Sequence, residues 1–176
     1  MTKLYKLDYE SLIGIVEIVG SAEGIRSIMF SEQDKIVNVK QVDTPKVLVE
    51  CLEQLHEYFQ GQRYTFTFPY IFEGTDFQKA VWHALTNIAY AETGSYKQIA
   101  MSIGNDKAVR AVGSANGKNK LSIVIPCHRI IGSNGTLTGY EGGLWRKEWL
   151  LQHEKSNFSH EQDSRQILLR HPIHDK

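Results

Sequence analysis

The sequence predicts an α+β fold: a small β-sheet with one helix in the first third, then a mostly helical remainder. Residues 3–8, 13–19 and 24–30 are β-rich, roughly alternating runs, broken at Gly14, Gly20 and Gly24. After Gly74 the apolar spacing changes from two to three or four residues and keeps that period in several segments. The 176 residues, 41% hydrophobic and 23% charged, suffice for one average globular domain or two small ones sharing an interface.

The three β runs come first. Pro45 then suits a first helical turn, and Val47, Leu48, Cys51, Leu52, Leu55 and Phe59 recur at helical spacing until Gly61. Cys51 lies on that stripe, where a small buried hydrophobe is expected. Residues 64–72 form an aromatic, β-prone stretch. Gly74-Thr75-Asp76 reads as a linker ending in a helix cap, because Phe77, Ala80, Val81, Ala84, Leu85 and Ile88 follow in helical register. The expected organisation is an N-terminal domain over 1–73, a C-terminal domain over 74–154 and a polar tail over 155–176.

Within the C-terminal part Ser95 is a good N-cap for a helix carrying Ile99, Ala100 and Ile103, which Gly104-Asn105 stops. A second helix is expected to open at Asn105-Asp106 and carry Ala108, Val109, Ala111, Val112 and Ala115. Two short helices joined by a Gly-containing turn make a helix-turn-helix candidate. Small residues dominate the second helix (Ala108, Ala111, Gly113, Ser114, Ala115), so it can lie close to a neighbouring surface while Lys107 and Arg110 project. The apolar run Leu121 to Ile125 reads as a strand. After Gly142-Gly143, residues Leu144, Trp149, Leu150 and Leu151 predict a final helix ending near His153-Glu154. The tail is mostly polar apart from Ile167-Leu168-Leu169, and is expected to be mobile or a weakly docked helix.

No apolar run approaches the ~20 residues of a membrane helix, and MTKLYKLDYE lacks the pattern of a secretory signal. Two cysteines in so long a chain cannot form a disulfide framework, and a free thiol suits a reducing, cytoplasmic setting. The net charge is zero, but residues 94–133 hold six cations (Lys97, Lys107, Arg110, Lys118, Lys120, Arg129) against Asp106 alone. A local basic surface is what phosphate binding needs.

Cys127 lies within that segment, in Ile125-Pro126-Cys127-His128-Arg129, and is followed by the turn Gly132-Ser133-Asn134-Gly135. This setting suits a presented nucleophile, which must reach the thiolate form from a reference pKa of about 8.5. In a regular strand His128 would point away from the sulfur, whereas a turn at Pro126-Cys127 brings both to one side with a water between them. A carboxylate orienting the imidazole completes such an arrangement, and Glu154 is one candidate among the acids.

Pro126-Cys127-His128-Arg129-Ile130, with Asn119 before it and Gly139-Tyr140-x-Gly142-Gly143 after it, resembles the O6-alkylguanine-DNA alkyltransferases. So do Gly74-Thr75-Asp76-Phe77-Gln78, Ser95-Tyr96-x-x-Ile99-Ala100, Arg110-Ala111-Val112-Gly113 and Lys147-Glu148-Trp149-Leu150-Leu151-x-His153-Glu154. The resemblance covers about residues 74–154; the first 73 match the family's N-terminal domain in size and element order. It implies a ribonuclease-H-like N-terminal domain and a winged-helix-like C-terminal domain. It also implies single-turnover repair in which Cys127 takes the alkyl group from O6-alkylguanine in double-stranded DNA, with O4-alkylthymine as a further candidate substrate. No cofactor or metal is implied, and a monomer is expected.

By the same resemblance His128 takes the thiol proton through a water, Glu154 orients His128, Asn119 braces the nucleophile's turn, and Tyr96 donates toward the flipped base. Arg110 is the finger that fills the emptied stack, with Lys107, Ala111, Gly113, Ser114, Arg129 and Ser133 beside the DNA. Tyr140, Ile130, Glu141 and Gly142 form the pocket. The family uses its helix-turn-helix in the minor groove, where readout is degenerate, which suits a search of all DNA. Glu141 departs from the small or hydroxyl-bearing residue common after the pocket tyrosine, and bears on substrate range. Some members hold zinc in the N-terminal domain; Cys51 is the sole cysteine there, and His171 and His174 in the tail have metal-like spacing that is weak evidence alone. The rival readings are a non-catalytic alkylguanine-DNA binding protein, which would lack the acceptor cysteine, a helix-turn-helix regulator, and a cysteine hydrolase.

Overall fold

The computed structural model describes residues 2–170. Its first part is an antiparallel sheet of β1 (Tyr5–Ser11), β2 (Gly14–Ser21) and β3 (Gly24–Phe30) in that order, covered by helix α1 (Lys46–Phe59). The β1–β2 register pairs Ser11 with Gly14 across a tight turn, and Gly14 adopts φ +118°, a conformation that excludes ordinary side chains. Alternation places Leu7, Val16, Ile18 and Ile28 in the core, where they meet Leu48, Cys51, Leu55 and Tyr58 from α1. Cys51 is fully buried, as its place on the stripe predicts, and burial pushes its thiol far above the usual range.

Both sheet edges are closed by loops. At the β1 edge the Asp8 carboxylate accepts from the amides of Val37 and Asn38 and from the Asn38 side chain. At the β3 edge Ile25 bridges to Tyr70 and Ile28 to Leu121. The second bridge anchors the segment leading to Cys127: Ile28 N–H donates to Lys120 O, and Ser122 N–H to Ile28 O. Strand β3 therefore carries one end of the cysteine loop.

Residues 64–72, expected as β-structure, form only the Tyr70 bridge. Pro69 has no N–H to continue a ladder, and Thr67 bonds instead to the buried side chain of Gln54.

The remainder is helical: α2 (Asp76–Leu85), α3 (Tyr96–Ser102), α4 (Val109–Gly117) and α5 (Leu144–Arg170). Thr75 and Ser95 both cap their helices through reciprocal capping boxes, with Gln78 and Gln98. Helix α4 begins at Val109, later than the expected Asn105-Asp106, because residues 105–107 form the turn from α3. Trp82 of α2 donates its indole N–H to Ala115 O and fixes the end of α4. Helix α5 does not end near Glu154 but continues to Arg170, since no glycine or proline interrupts residues 154–170. His171 and His174 lie outside the described residues. Among the described residues no helix is long and apolar enough to cross a membrane.

Candidate active site

The run Leu121 to Ile125 is not a strand. Val124 N–H donates to Ser122 O across Ile123, whose φ is +73°, and Cys127 N–H donates to Ile125 O across Pro126. These are two γ-turns, and a β-branched residue at positive φ is strained by ~1–3 kcal/mol. Asn119 holds the strained loop from inside. Its Oδ1 accepts from Leu121 N–H at 2.9 Å, and its Nδ2 faces Leu121 O, Ile125 O and Cys127 Sγ at 3.4, 3.0 and 3.3 Å. Cys127–Arg129 then form a single 3-10 turn.

Cys127 is 5% exposed, at a cavity of about 340 Å³ lined also by Tyr96, Gly113, Asn116, Gly117, Asn119, Gly139, Tyr140 and Glu141. Burial pushes its thiol pKa up, opposed by the Asn119 amide and the positive charge of Lys147. Lys147 is fully buried and donates to Thr138 O, while Thr138 Oγ1 lies 3.0 Å from the Tyr96 hydroxyl. A buried cation thus favours the thiolate.

Behind Cys127, Glu154 is fully buried and accepts five hydrogen bonds. Its Oε2 receives Tyr58 OH (2.6 Å), His128 Nε2 (2.7 Å) and an Arg129 terminal nitrogen (3.1 Å). Its Oε1 receives Arg129 Nε (2.8 Å) and Ala91 N–H (3.2 Å). Burial alone raises a carboxyl, but His128 and Arg129 outweigh it and hold Glu154 far below the usual range. The carboxylate fixes the proton of neutral His128 on Nε2. Its Nδ1 is then a lone-pair acceptor, with no hydrogen-bond partner among the described residues. Burial, stronger than the pull of Glu154, lowers the His128 pKa and keeps the ring neutral.

The structure brings Cys127, Asn119, Tyr96, Tyr140, Glu141 and Gly113 to one cavity, with His128 next to Cys127 in the chain and Glu154 bonded to His128. Arg110, Ala111 and Ser114 are exposed on α4, Lys107 on the turn before it, and Ser133 in the loop after the cysteine. Three expectations are corrected. Arg129 is buried, and its guanidinium is occupied by Glu154 and by Ile88 O at 2.7 Å, so it is not free for phosphate. Ile130 is fully buried and bridges to Gly94, away from the cavity lining. Gly142 packs on Phe30, Arg146 and the back of Tyr140 without lining the cavity. Lys97, Lys107, Arg110, Lys118 and Lys120 remain exposed, so the basic surface persists without Arg129.

Sequence reasoning missed Tyr58, Ala91 and the role of Lys147. Tyr58 falls three residues after Leu55 on the α1 stripe, which signals burial; nothing in the sequence ties it to Glu154.

Residues 4–70 match the profile of the 6-O-methylguanine DNA methyltransferase ribonuclease-like domain, and residues 76–156 that of the DNA binding domain of the same proteins. The methylated-DNA–protein-cysteine methyltransferase of Methanosarcina barkeri is 45% identical over 150 residues, spanning 84% of this chain and 95% of that protein. The constitutive enzyme of Bacillus subtilis is 41% identical over 161 residues, covering 88% and 97%. The crystal structure of Mycobacterium tuberculosis O6-methylguanine methyltransferase superposes with a TM-score of 0.78 at 38% identity, covering 88% of this chain and 94% of that one. A structure of the mycobacterial protein in complex with DNA matches at 40% identity with the same TM-score, covering 87% and 94%.

Proposed function

The chain belongs to the methylated-DNA–protein-cysteine methyltransferase family, and from that premise we propose how its own residues repair O6-alkylguanine in duplex DNA. The observation that carries the reading is a nearly buried thiol at a cavity, backed by a neutral histidine with a free ring nitrogen. The thiol proton passes through a water to His128 Nδ1, and Glu154 stabilises the imidazolium. The thiolate attacks the alkyl carbon in line; the S–C bond forms as the C–O6 bond breaks, and guanine leaves with the electron pair and takes up a proton. The thioether does not hydrolyse, so each molecule acts once.

Asn119 keeps Sγ aimed into the cavity, and its N–H groups stabilise negative sulfur. Tyr96 donates toward the departing base, and Tyr140 walls the pocket. Arg110 enters the stack as the base is extruded, which offsets part of an extrusion cost of a few kcal/mol. Lys107, Ala111, Gly113, Ser114 and Ser133 line the DNA path, and neighbouring exposed lysines neutralise phosphates. The working unit is a monomer acting in a reducing cytoplasm, divided between residues 73 and 74. A non-catalytic binding role is opposed by the presence of Cys127.

Intact mass after incubation with an O6-methylguanine duplex tests the reading. One methyl replacing one hydrogen, mapped to the Cys127 peptide, is the expected result. Folded protein that gains nothing, or gains it at Cys51, would refute it.

A further inference from the structure

The Tyr58 hydroxyl lies 96 residues from Glu154 in sequence, yet donates to it at 2.6 Å. It shares Oε2 with His128 Nε2 and an Arg129 terminal nitrogen, so Tyr58 and His128 are two of three donors that compete for one oxygen. A hydroxyl–carboxylate bond of this length belongs to the charge-assisted class. Tyr58 is also held rigidly. His153, next to Glu154 on α5, bonds the Tyr58 carbonyl at 2.8 Å, and Phe59, Phe66, Tyr90 and His153 pack around the ring.

We propose that Tyr58 is a positioning residue for alkyl transfer: by donating to Glu154 it limits how strongly that carboxylate pulls on His128, and so sets the basicity of the imidazole. The N-terminal helix thereby contributes directly to the proton path of the C-terminal site. The inference rests on the alkyltransfer reading. Each donor on a carboxylate lowers its affinity for the next. The charged groups acting on His128 are Glu154 and Lys147 from α5 and Arg129 from its own turn, with Cys127 just before it; Tyr58 from α1 and Tyr90, in the segment after α2, act on Glu154. Tyr58 is fully buried beside a carboxylate, which keeps its phenol protonated and donating across the working pH range.

Tyr58→Phe in the full chain removes the hydroxyl and keeps the ring. With Glu154 released toward His128, the imidazole becomes more basic. The acidic limb of the single-turnover methyl-transfer profile then moves up, on the order of half a pH unit, with duplex affinity unchanged. Phe59→Leu, the packing control on the same helix, changes the rate by one factor at every pH. Replacing Tyr58 with 3-fluorotyrosine strengthens the donor without altering the packing, and moves the limb down. A limb that stays in place in both Tyr58 variants overturns the proposal. In DNA-free protein the His128 Nε2 proton resonance provides a readout independent of alkyl transfer. It moves downfield in Tyr58→Phe, and an unmoved resonance also refutes the role even if the wild-type chain transfers no methyl group.

Discussion

Glu154→Gln tests the buried array that supports the candidate nucleophile. The substitution keeps the size of the side chain and removes its charge. Arg129, 6% exposed, then loses its carboxylate counter-ion. Removing one partner of a buried pair costs about 3–5 kcal/mol, because the remaining charge is left uncompensated. The NH2 that replaces one carboxylate oxygen also turns N–H groups toward donors, either those of Tyr58, His128 and Arg129 on Oε2 or those of Arg129 and Ala91 on Oε1. At ~2–4 °C per kcal/mol for a chain of this size, the expected fall in Tm is about 6–20 °C. Total stabilities of ~5–15 kcal/mol leave a folded protein to measure. Calorimetry at pH 7 reads the shift.

The pH dependence supplies the sign. The folded pKa of Glu154 lies below its unfolded value of about 4.3. Its contribution is therefore fully present above that value and declines as pH falls toward the folded pKa. The wild-type chain should lose stability more steeply than Glu154→Gln on acidification below about pH 4.3. His128, whose folded pKa is also lowered, adds acid sensitivity beginning below about pH 6.5 in both. A Tm change under 3 °C, or equal acid slopes, would show that Glu154 and Arg129 do not stabilise each other as the geometry requires.

Asn119→Ala removes every bond its side chain makes inside the γ-turns; a loss of about 1–3 kcal/mol in denaturant unfolding is expected, together with slower methyl transfer. Arg110→Ala should slow repair of duplex DNA about tenfold or more, since it withdraws support for base extrusion, while leaving transfer from a free-base substrate nearly unchanged. Equal losses on both substrates would remove the finger role. Glu141→Gln deletes an exposed acid at the cavity rim and should tighten duplex binding about two- to fivefold at low salt, with the gain shrinking as salt rises. Thr75→Ala breaks the α2 capping box and should cost about 1 kcal/mol without altering the transfer rate at saturating DNA.

Local rules were legible wherever a residue acts through its own neighbours. Thr75 and Ser95 announce their caps, Val47 to Phe59 announce a helical face, and the paired glycines and alternation announce three strands. They misled where long-range bonds overrode propensity. Leu121 to Ile125 is apolar and β-branched, yet Asn119 and the edge of β3 bend it into γ-turns. Residues 64–72 are β-prone, yet Gln54 and Pro69 end the pairing after one bridge.

The sequence alone determined the α+β class and marked the candidate nucleophile, the histidine next to it and the basic helix, because these depend on residue type and short spacing. The tertiary structure set Glu154, which the family resemblance had pointed to and residue spacing alone had not, against His128, and it alone decided that Arg129 belongs to that carboxylate instead of DNA and that α1 supplies Tyr58. The reason is physical: a buried charge must collect its partners from whatever elements the fold packs around it, and chain separation does not record which those are.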